Sequence, residues 1–229
     1  MYFIGKGGLL KKAVLFNLSN KIKINGIWLV DKKDLNKKFY YKKKIKIFFK
    51  EESFYKILKK TLNETIFSID NNIILTNKIL LTKNYFFNIH NALVQNCRGL
   101  AEICILKSII MGEKTYGITL HRILPNQSID SGPVIDQIKF IIKKNDTFKS
   151  LMNLSLFNSD KIFKKNIKKI LKNRFKQKKL LKSKKIFTYK NLKKIIQSGK
   201  SKKDIKRAYE LGFYEFYFPK LKKTISNFL

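Results

Sequence analysis

The residues able to do acid–base or nucleophilic chemistry are concentrated between residues 85 and 137. Both histidines, both cysteines and two of the three prolines of the 229-residue chain lie there. This window holds four basic and four acidic side chains, whereas the whole chain carries a formal net charge of +36. A neutral segment in so basic a chain indicates that its side chains serve a site.

Three residues of this window have types and positions that suit one reaction. Asn88 and His90 lie two residues apart at the predicted end of a strand, so both side chains leave the same face of the sheet. Asp130 lies in a loop that can reach that edge, where open α/β sheets place their sites. An imidazole oriented by a carboxylate and flanked by an amide can stabilise an oxyanion and move protons. This combination predicts acyl transfer to a nitrogen nucleophile.

The cysteines offer weaker alternatives. Cys97 is close to His90 in sequence, which leaves a Cys–His hydrolase open, although a small buried or loop thiol is the commoner role of such a residue. Cys97 and Cys104 have neither the spacing of a zinc site nor a partner pair. We therefore expect reduced thiols and no metal.

The N-terminal elements predict a parallel α/β unit. A short strand over 2–4 leads into a glycine turn over 5–8 and then a helix, and a second strand over 24–30 ends at Asp31. The G-x-G-x-x-G dinucleotide pattern needs a third glycine where this chain has Leu10. A tight turn beside the cleft is therefore favoured over a nicotinamide or flavin site.

The remaining pattern completes the predicted fold. Further strands are predicted over 40–49, 66–69, 85–89, 116–124 and 134–142, and further helices over 51–60, 78–81 and 100–111. The fold class is therefore α/β, a Rossmann-like open, mainly parallel sheet flanked by helices. We expect a catalytic domain over 1–145 and a short, mostly helical, basic C-terminal extension over 146–229 that packs on or beside it.

The charge has two interpretations. From residue 161 onward, 24 basic residues face three acidic ones, which is compatible with a nucleic-acid-binding surface. However, the chain has only four arginines among its 51 basic residues, and phosphate recognition usually recruits arginine. Codon bias is the favoured explanation of the many lysines.

Apolar runs are too short to cross a bilayer or to act as a secretory signal, so we expect a cytoplasmic protein without a membrane partner.

Four short motifs together resemble the folate-dependent formyltransferases. The motifs are Asn88-Ile89-His90, Arg98-Gly99, Gly117-Ile118-Thr119-Leu120-His121, and Asp130-Ser131-Gly132-Pro133-Val134-Ile135 with Gln137. In order and spacing they match the N-terminal domain of that family over roughly residues 64 to 142. The chain is most similar to the sugar-nucleotide N-formyltransferases of that family.

The resemblance implies specific roles. Asn88, His90 and Asp130 would form the catalytic trio acting on 10-formyltetrahydrofolate as formyl donor. The pterin pocket would be built by a second set of residues: Asn72, Ile73, Ile74, Leu75 and Ile129. The expected partner is a small-molecule amine, foremost a nucleotide-linked amino sugar of surface polysaccharide biosynthesis. Methionyl-tRNA and glycinamide ribonucleotide are the alternative acceptors, and a homodimer is compatible with the resemblance.

The chain also departs from the family pattern. Its segments His90-Asn91-Ala92 and Val94–Gly99 lack two prolines and a tyrosine found in most members. The resemblance gives His121 a structural role beside the site, and a hydrogen-bonded core histidine fits the sequence equally well. A different class also stays open, namely a non-enzymatic nucleic-acid-binding protein that uses the basic C-terminal segment.

Overall fold

The computed structural model of the chain describes residues 1–199 and 201–226. The strands in these residues are β1 (Tyr2–Gly5), β2 (Gly26–Leu29), β3 (Ile47–Phe48), β4 (Thr65–Ile69), β5 (Tyr85–His90), β6 (Arg98–Gly99), β7 (Thr115–Ile123), β8 (Val134–Ile141) and β9 (Ile186–Phe187). The α-helices are α1 (Gly7–Ser19), α2 (Lys37–Lys42), α3 (Glu51–Leu58), α4 (Asn77–Leu80), α5 (Ala101–Ile110), α6 (Phe148–Leu171), α7 (Leu192–Gln197), α8 (Lys202–Tyr209) and α9 (Pro219–Ser226).

In the described residues, seven strands form one sheet in the order β3-β2-β1-β4-β5-β7-β8, and β6 pairs with β9 separately. Strand β1 is parallel to β2 and β4, β2 to β3, and β4 to β5. Parallel neighbours need crossover connections, which helices such as α1, between β1 and β2, and α2, between β2 and β3, supply. The predicted class, a mainly parallel Rossmann-like sheet flanked by helices, is confirmed.

The chain divides into two compact units. The first comprises residues 1–89, 120–136 and 159–180. Every residue of β1, β2 and β4 is buried there, as expected for parallel strands covered on both faces. A side chain cannot fit at Gly5, because a Cβ would lie 1.8 Å from the carbonyl oxygen of Ile69. The predicted glycine turn thus lets β1 lie against the end of β4.

The second unit comprises residues 90–119, 137–158 and those described from 181 onward. Its core is centred on α5, in which all but Ala101 and Lys107 are buried. Gly112 follows this helix with φ of 64°, the left-handed conformation that commonly ends a helix at glycine. The predicted end of the helix at Gly112 is therefore correct to within one or two residues.

One predicted strand is wrong. Residues 40–49 form the end of α2 and the two-residue β3 instead of one edge strand. Lys44 adopts φ of 54° between them, which no strand accommodates. Tyr40 is completely buried, so packing of this aromatic ring selects the helix over the local alternation of lysine and apolar residues.

Helix α6 extends across the point at which the composition becomes basic. Helix α6 begins at Phe148 and runs through residue 161, where the basic composition begins. The division into 1–145 and 146–229 stays a prediction, and Lys200 and residues 227–229 lie outside the described residues. In the part of the chain that the structure describes, no helix has the length and apolar character required to span a bilayer.

Candidate active site

Asn88 lies near the carboxyl end of β5. In the parallel register of β4 and β5 it is paired with Ser68. Carboxyl ends of parallel strands meet at one edge of a sheet, where open α/β folds bind their ligands. The loop that follows β4 therefore begins beside the strand end that carries Asn88.

The side chain of Asp130 reaches Asn88 from the loop between β7 and β8. Its Oδ1 lies 3.4 Å from Asn88 Nδ2 and 3.5 Å from His121 Nε2. The side chains of Asp130 and His121 are only 7% and 2% exposed, so these polar contacts are shielded from water and strengthened. The structure thus brings two of the predicted catalytic residues together and adds His121 to them.

The hydrogen bonds of His121 define which ring nitrogen carries the proton when the imidazole is neutral. Its Nδ1 lies 2.9 Å from the carbonyl oxygen of Arg122, which can only accept, so Nδ1 carries the proton. Its Nε2 then accepts from Asn88 Nδ2 at 3.2 Å. The two Nδ2 hydrogens of Asn88 are therefore directed at His121 and Asp130. Of the two roles left open for His121, this geometry supports the one beside the site.

A tightly packed loop positions Asp130. The residue itself has φ of 53°, and the backbone N–H of Arg122 donates to the carbonyl oxygen of Pro133 at 2.9 Å. A Cβ on Gly132 would lie 1.8 Å from the carbonyl oxygen of Arg122. Only glycine lets the two arms of the loop approach so closely.

Replacing Gly132 by alanine is expected to lower the free energy of unfolding by about 1–3 kcal/mol, because the backbone must move to admit a methyl group. Gly8→Ala is the matched control, since a Cβ there would meet no atom within 4 Å and alanine is the better helix former. Urea unfolding of both variants tests this. Equal stability of the two proteins would contradict the close approach at Gly132.

His90 ends β5, and its side chain is bound by the following loop. It is 5% exposed, and its Nε2 lies 3.0 Å from the carbonyl oxygen of Cys97. A carbonyl acceptor requires Nε2 to carry a proton. The predicted orientation of His90 by Asp130 stays a prediction.

The expectation of reduced cysteines is wrong in this structure. Cys97 and Cys104 form a disulfide with their Cα atoms 5.7 Å apart. Cys104 lies in α5, which begins directly after the loop that carries Cys97. A spacing of seven residues does not by itself indicate pairing, because the approach depends on how the loop folds back on the helix.

A network of amides and hydroxyls holds the same loop, and the sequence did not predict it. Thr119 Oγ1 donates to the carbonyl oxygen of Ala92 at 2.8 Å and accepts from the backbone N–H of Val94 at 3.3 Å. Gln137 Nε2 donates to Thr119 Oγ1 at 2.9 Å and to Gln95 Oε1 at 2.8 Å. Gln137 and Thr119 belong to motifs of the sequence, but their contact with each other and with Gln95 has no local signal.

The predicted pterin-binding residues lie in the loop between β4 and α4 and in the loop of Asp130. Asn71 braces the first loop, since its Oδ1 accepts from the backbone N–H of Ile73 at 2.8 Å and its Nδ2 donates to Ser68 Oγ at 3.1 Å. Ile74 is 70% exposed, whereas Leu75 is buried in the core. Asn72 is exposed, and Ile129 is partly buried. Their role in donor binding stays a prediction.

Carboxylates occupy the glycine turn at the end of β1. The backbone N–H of Gly7 donates to Asp34 Oδ2 at 2.5 Å, and a Cβ on Gly7 would lie 3.0 Å from Asp70 Oδ2. Burial raises the pKa of the Asp70 carboxyl, Lys6 opposes that shift and Asp34 adds to it. A turn that holds two acids is unsuited to a phosphate group.

Within residues 1–199 and 201–226, no cluster of three or more His, Cys, Asp or Glu side chains is arranged to hold a metal ion. What the site offers is an imidazole, an amide and a carboxylate. These groups suit a reaction that develops an oxyanion and moves protons.

The fold and these side chains define an α/β protein with a polar site at the carboxyl ends of its strands. The sequence profile of the formyl transferase family matches residues 11–167, and the chain belongs to that family. The bifunctional polymyxin resistance protein ArnA of Wigglesworthia glossinidia brevipalpis is 36% identical over 118 residues, which cover 51% of this chain and 17% of that protein.

Two further similar proteins are formyltransferases whose names differ in the acceptor. A methionyl-tRNA formyltransferase of Wolbachia sp. subsp. Drosophila simulans (strain wRi) is 36% identical over 94 residues, 40% of this chain and 30% of that protein. The chain therefore spans less than a third of the length of ArnA and of this methionyl-tRNA formyltransferase. The solved structure of WlaRD, a sugar 3N-formyl transferase in the presence of dTDP and 5-N-formyl-THF, matches with a TM-score of 0.67 and 27% identity, covering 83% of this chain and 69% of that chain.

Proposed function

We propose that the protein transfers a formyl group from 10-formyltetrahydrofolate to the primary amine of a nucleotide-linked amino sugar. The contact of Asn88 with Asp130 carries this proposal, because it joins an oxyanion-binding amide to a proton-accepting carboxylate at the carboxyl end of β5. His90 follows Asn88 by two residues in the same strand. Family membership supports the reaction class.

In the proposed reaction, the acceptor amine attacks the formyl carbon, and negative charge develops on the formyl oxygen. The Asn88 amide and a protonated His90 stabilise that oxyanion by hydrogen bonds. His90 donates from Nδ1, because its Nε2 donates to the carbonyl oxygen of Cys97, and Asp130 holds the ring charged. Asp130 accepts the proton that the amine loses and helps to return one to the departing folate nitrogen. Since the Nδ2 hydrogens of Asn88 are directed at His121 and Asp130, one of these contacts must be exchanged for the formyl oxygen when the donor binds.

Two observations favour a nucleotide sugar as the acceptor. The glycinamide ribonucleotide enzymes of the family usually have a Gly-Ser-Asn phosphate turn where this chain has Gly7-Gly8-Leu9. Here the turn holds the carboxylate of Asp34, which opposes a bound phosphate. The solved relative of 27% identity is a sugar formyl transferase. Methionyl-tRNA is the second candidate acceptor, since a methionyl-tRNA formyltransferase is 36% identical over 94 residues.

A basic cavity supports the alternative of nucleic-acid binding. The cavity has a volume of about 270 Å³, and its lining includes Lys169, Arg174, Phe175 and Lys176. Cationic side chains around an aromatic ring suit a phosphate backbone with stacked bases. Lysine is abundant over the whole chain, however. The cavity is therefore weaker support for nucleic-acid binding than the contacts of Asn88 are for formyl transfer.

The deciding experiment incubates the purified full chain with 10-formyltetrahydrofolate and, separately, amino-sugar nucleotides, charged initiator tRNA or glycinamide ribonucleotide. Release of tetrahydrofolate and the mass of the formylated amine are measured. We expect turnover with an amino-sugar nucleotide. Faster turnover of methionyl-tRNA would replace this acceptor by the second candidate.

The same protein preparation tests the nucleic-acid alternative. Absence of turnover with every amine, together with salt-sensitive RNA binding, would establish the binding function instead. Lys161→Glu and Lys168→Glu on the exposed face of α6 then serve as the disrupting variants. They are preferable to deletion of the segment, because residues 159–180 belong to the first compact unit.

A further inference from the structure

Cys97 takes part both in the Cys97–Cys104 disulfide and in a hydrogen bond to the imidazole of His90. The carbonyl oxygen of Cys97 lies 3.0 Å from His90 Nε2, and the sulfur of the same residue is bonded to Cys104 in α5. Cys97 is therefore bonded covalently to helix α5 through its sulfur, and its carbonyl oxygen is the hydrogen-bond acceptor of the His90 imidazole. Both cysteines are almost completely buried, at 1% and 0% exposure.

The other supports of this loop are hydrogen bonds, which include the pairing of Arg98 in β6 with Ile186 in β9. Thr119 holds the loop at Ala92 and Val94. Near Cys97 the backbone makes a local turn, in which its N–H donates to the carbonyl oxygen of Leu93 at 3.0 Å. Residues 91–99 contain no proline, so no pyrrolidine ring stiffens the backbone there. The disulfide is thus the covalent constraint on the position of the Cys97 carbonyl.

We propose that the Cys97–Cys104 disulfide is a redox-sensitive positioning device for His90. This inference rests on the proposed function, in which His90 stabilises the oxyanion. In the oxidised protein, the carbonyl of Cys97 fixes the ring through Nε2. The fixed ring presents Nδ1 in one orientation.

Reduction releases the loop. A dithiol reductant gives two electrons and two protons to the sulfur–sulfur bond, which becomes two thiols, while the reductant becomes a disulfide. The Cys97 carbonyl then depends on backbone hydrogen bonds alone, and the ring samples more orientations. Misplacement of a catalytic group by about 1 Å lowers a rate by about 10²-fold, so partial loosening lowers kcat by about 10- to 100-fold. Binding of donor and acceptor changes little, because neither requires the His90 orientation.

The experiment compares the oxidised full chain with the same chain after treatment with dithiothreitol, and mass spectrometry after thiol alkylation confirms each state. We expect kcat to fall on reduction, KM for both substrates to stay within about twofold, and reoxidation to restore kcat. The Cys104→Ser variant is expected to match the reduced protein and to be insensitive to dithiothreitol. Equal kcat in the two redox forms would overturn the proposal while leaving the proposed function intact.

A second measurement does not depend on activity. The chain has only two histidines, so ¹⁵N NMR of the imidazole rings resolves His90 from His121. Reduction is expected to shift the ring signals of His90 and to leave those of His121 unchanged. Unchanged His90 signals, or equal shifts of both rings, would overturn the proposal. If no amine is formylated by either form, the proposed function fails, and the NMR comparison alone decides whether the disulfide positions His90.

Discussion

Replacement of His90 by alanine is expected to lower the rate of formyl transfer by about 10²- to 10⁴-fold, the range for removal of a proton-transferring or oxyanion-stabilising side chain. The loss should fall on kcat, because the imidazole acts on the developing oxyanion more than on the bound substrates. Steady-state kinetics with 10-formyltetrahydrofolate and the best acceptor of the panel measures it. Unchanged turnover would remove His90 from the mechanism.

His90→Gln is the matched control for stability. Its side-chain amide can donate to the carbonyl oxygen of Cys97, as His90 Nε2 does at 3.0 Å, whereas alanine leaves that buried acceptor without this partner. We expect alanine to lower the free energy of unfolding by about 1–2 kcal/mol and glutamine to lower it less. Both variants should be nearly inactive, because a glutamine amide that donates to the Cys97 carbonyl cannot also present a charged donor to the oxyanion. Activity in the glutamine variant would indicate that the ring serves only as a structural donor.

The fold could be predicted where a local pattern and the packing agree. The strand over residues 85–89 is recovered within one residue as β5, because its apolar run matches a strand buried by its neighbours. The prediction of a strand over residues 40–49 was wrong because the buried ring of Tyr40 selects a helix there. Neither the burial of that ring nor the left-handed Lys44 has a signal in a single sequence.

The site could be predicted where residue type and strand position carry the information. Asn88 and Asp130 were paired correctly, since an amide at a strand end and an acid in the next loop meet at one sheet edge. The tautomer of His121 depends on the carbonyl of Arg122, and the disulfide depends on how a loop folds back on α5. These are tertiary approaches between backbone segments, which composition and spacing do not encode.

The second large effect is expected from a substitution of Phe163 in helix α6. The ring of Phe163 contacts those of Phe3 and Phe67, with centroid distances of 5.9 and 5.1 Å, and its side chain is 1% exposed. A residue of the predicted extension over 146–229 therefore belongs to the core of the first unit, against strands β1 and β4. If the extension were an appendage, its removal would leave that unit stable.

Phe163→Ala is accordingly expected to lower the free energy of unfolding of the first unit by about 3–5 kcal/mol, through lost burial and the cavity that the ring leaves. Phe157→Ala on the same helix is the matched control, because that ring is 63% exposed and its loss should change stability by less than about 0.5 kcal/mol. Urea unfolding followed by fluorescence of Trp28, the single tryptophan, reports on this unit, since Trp28 lies in β2. Similar, small effects of the two substitutions would show that residues 1–145 fold without α6, and would favour the division of the chain at residue 145.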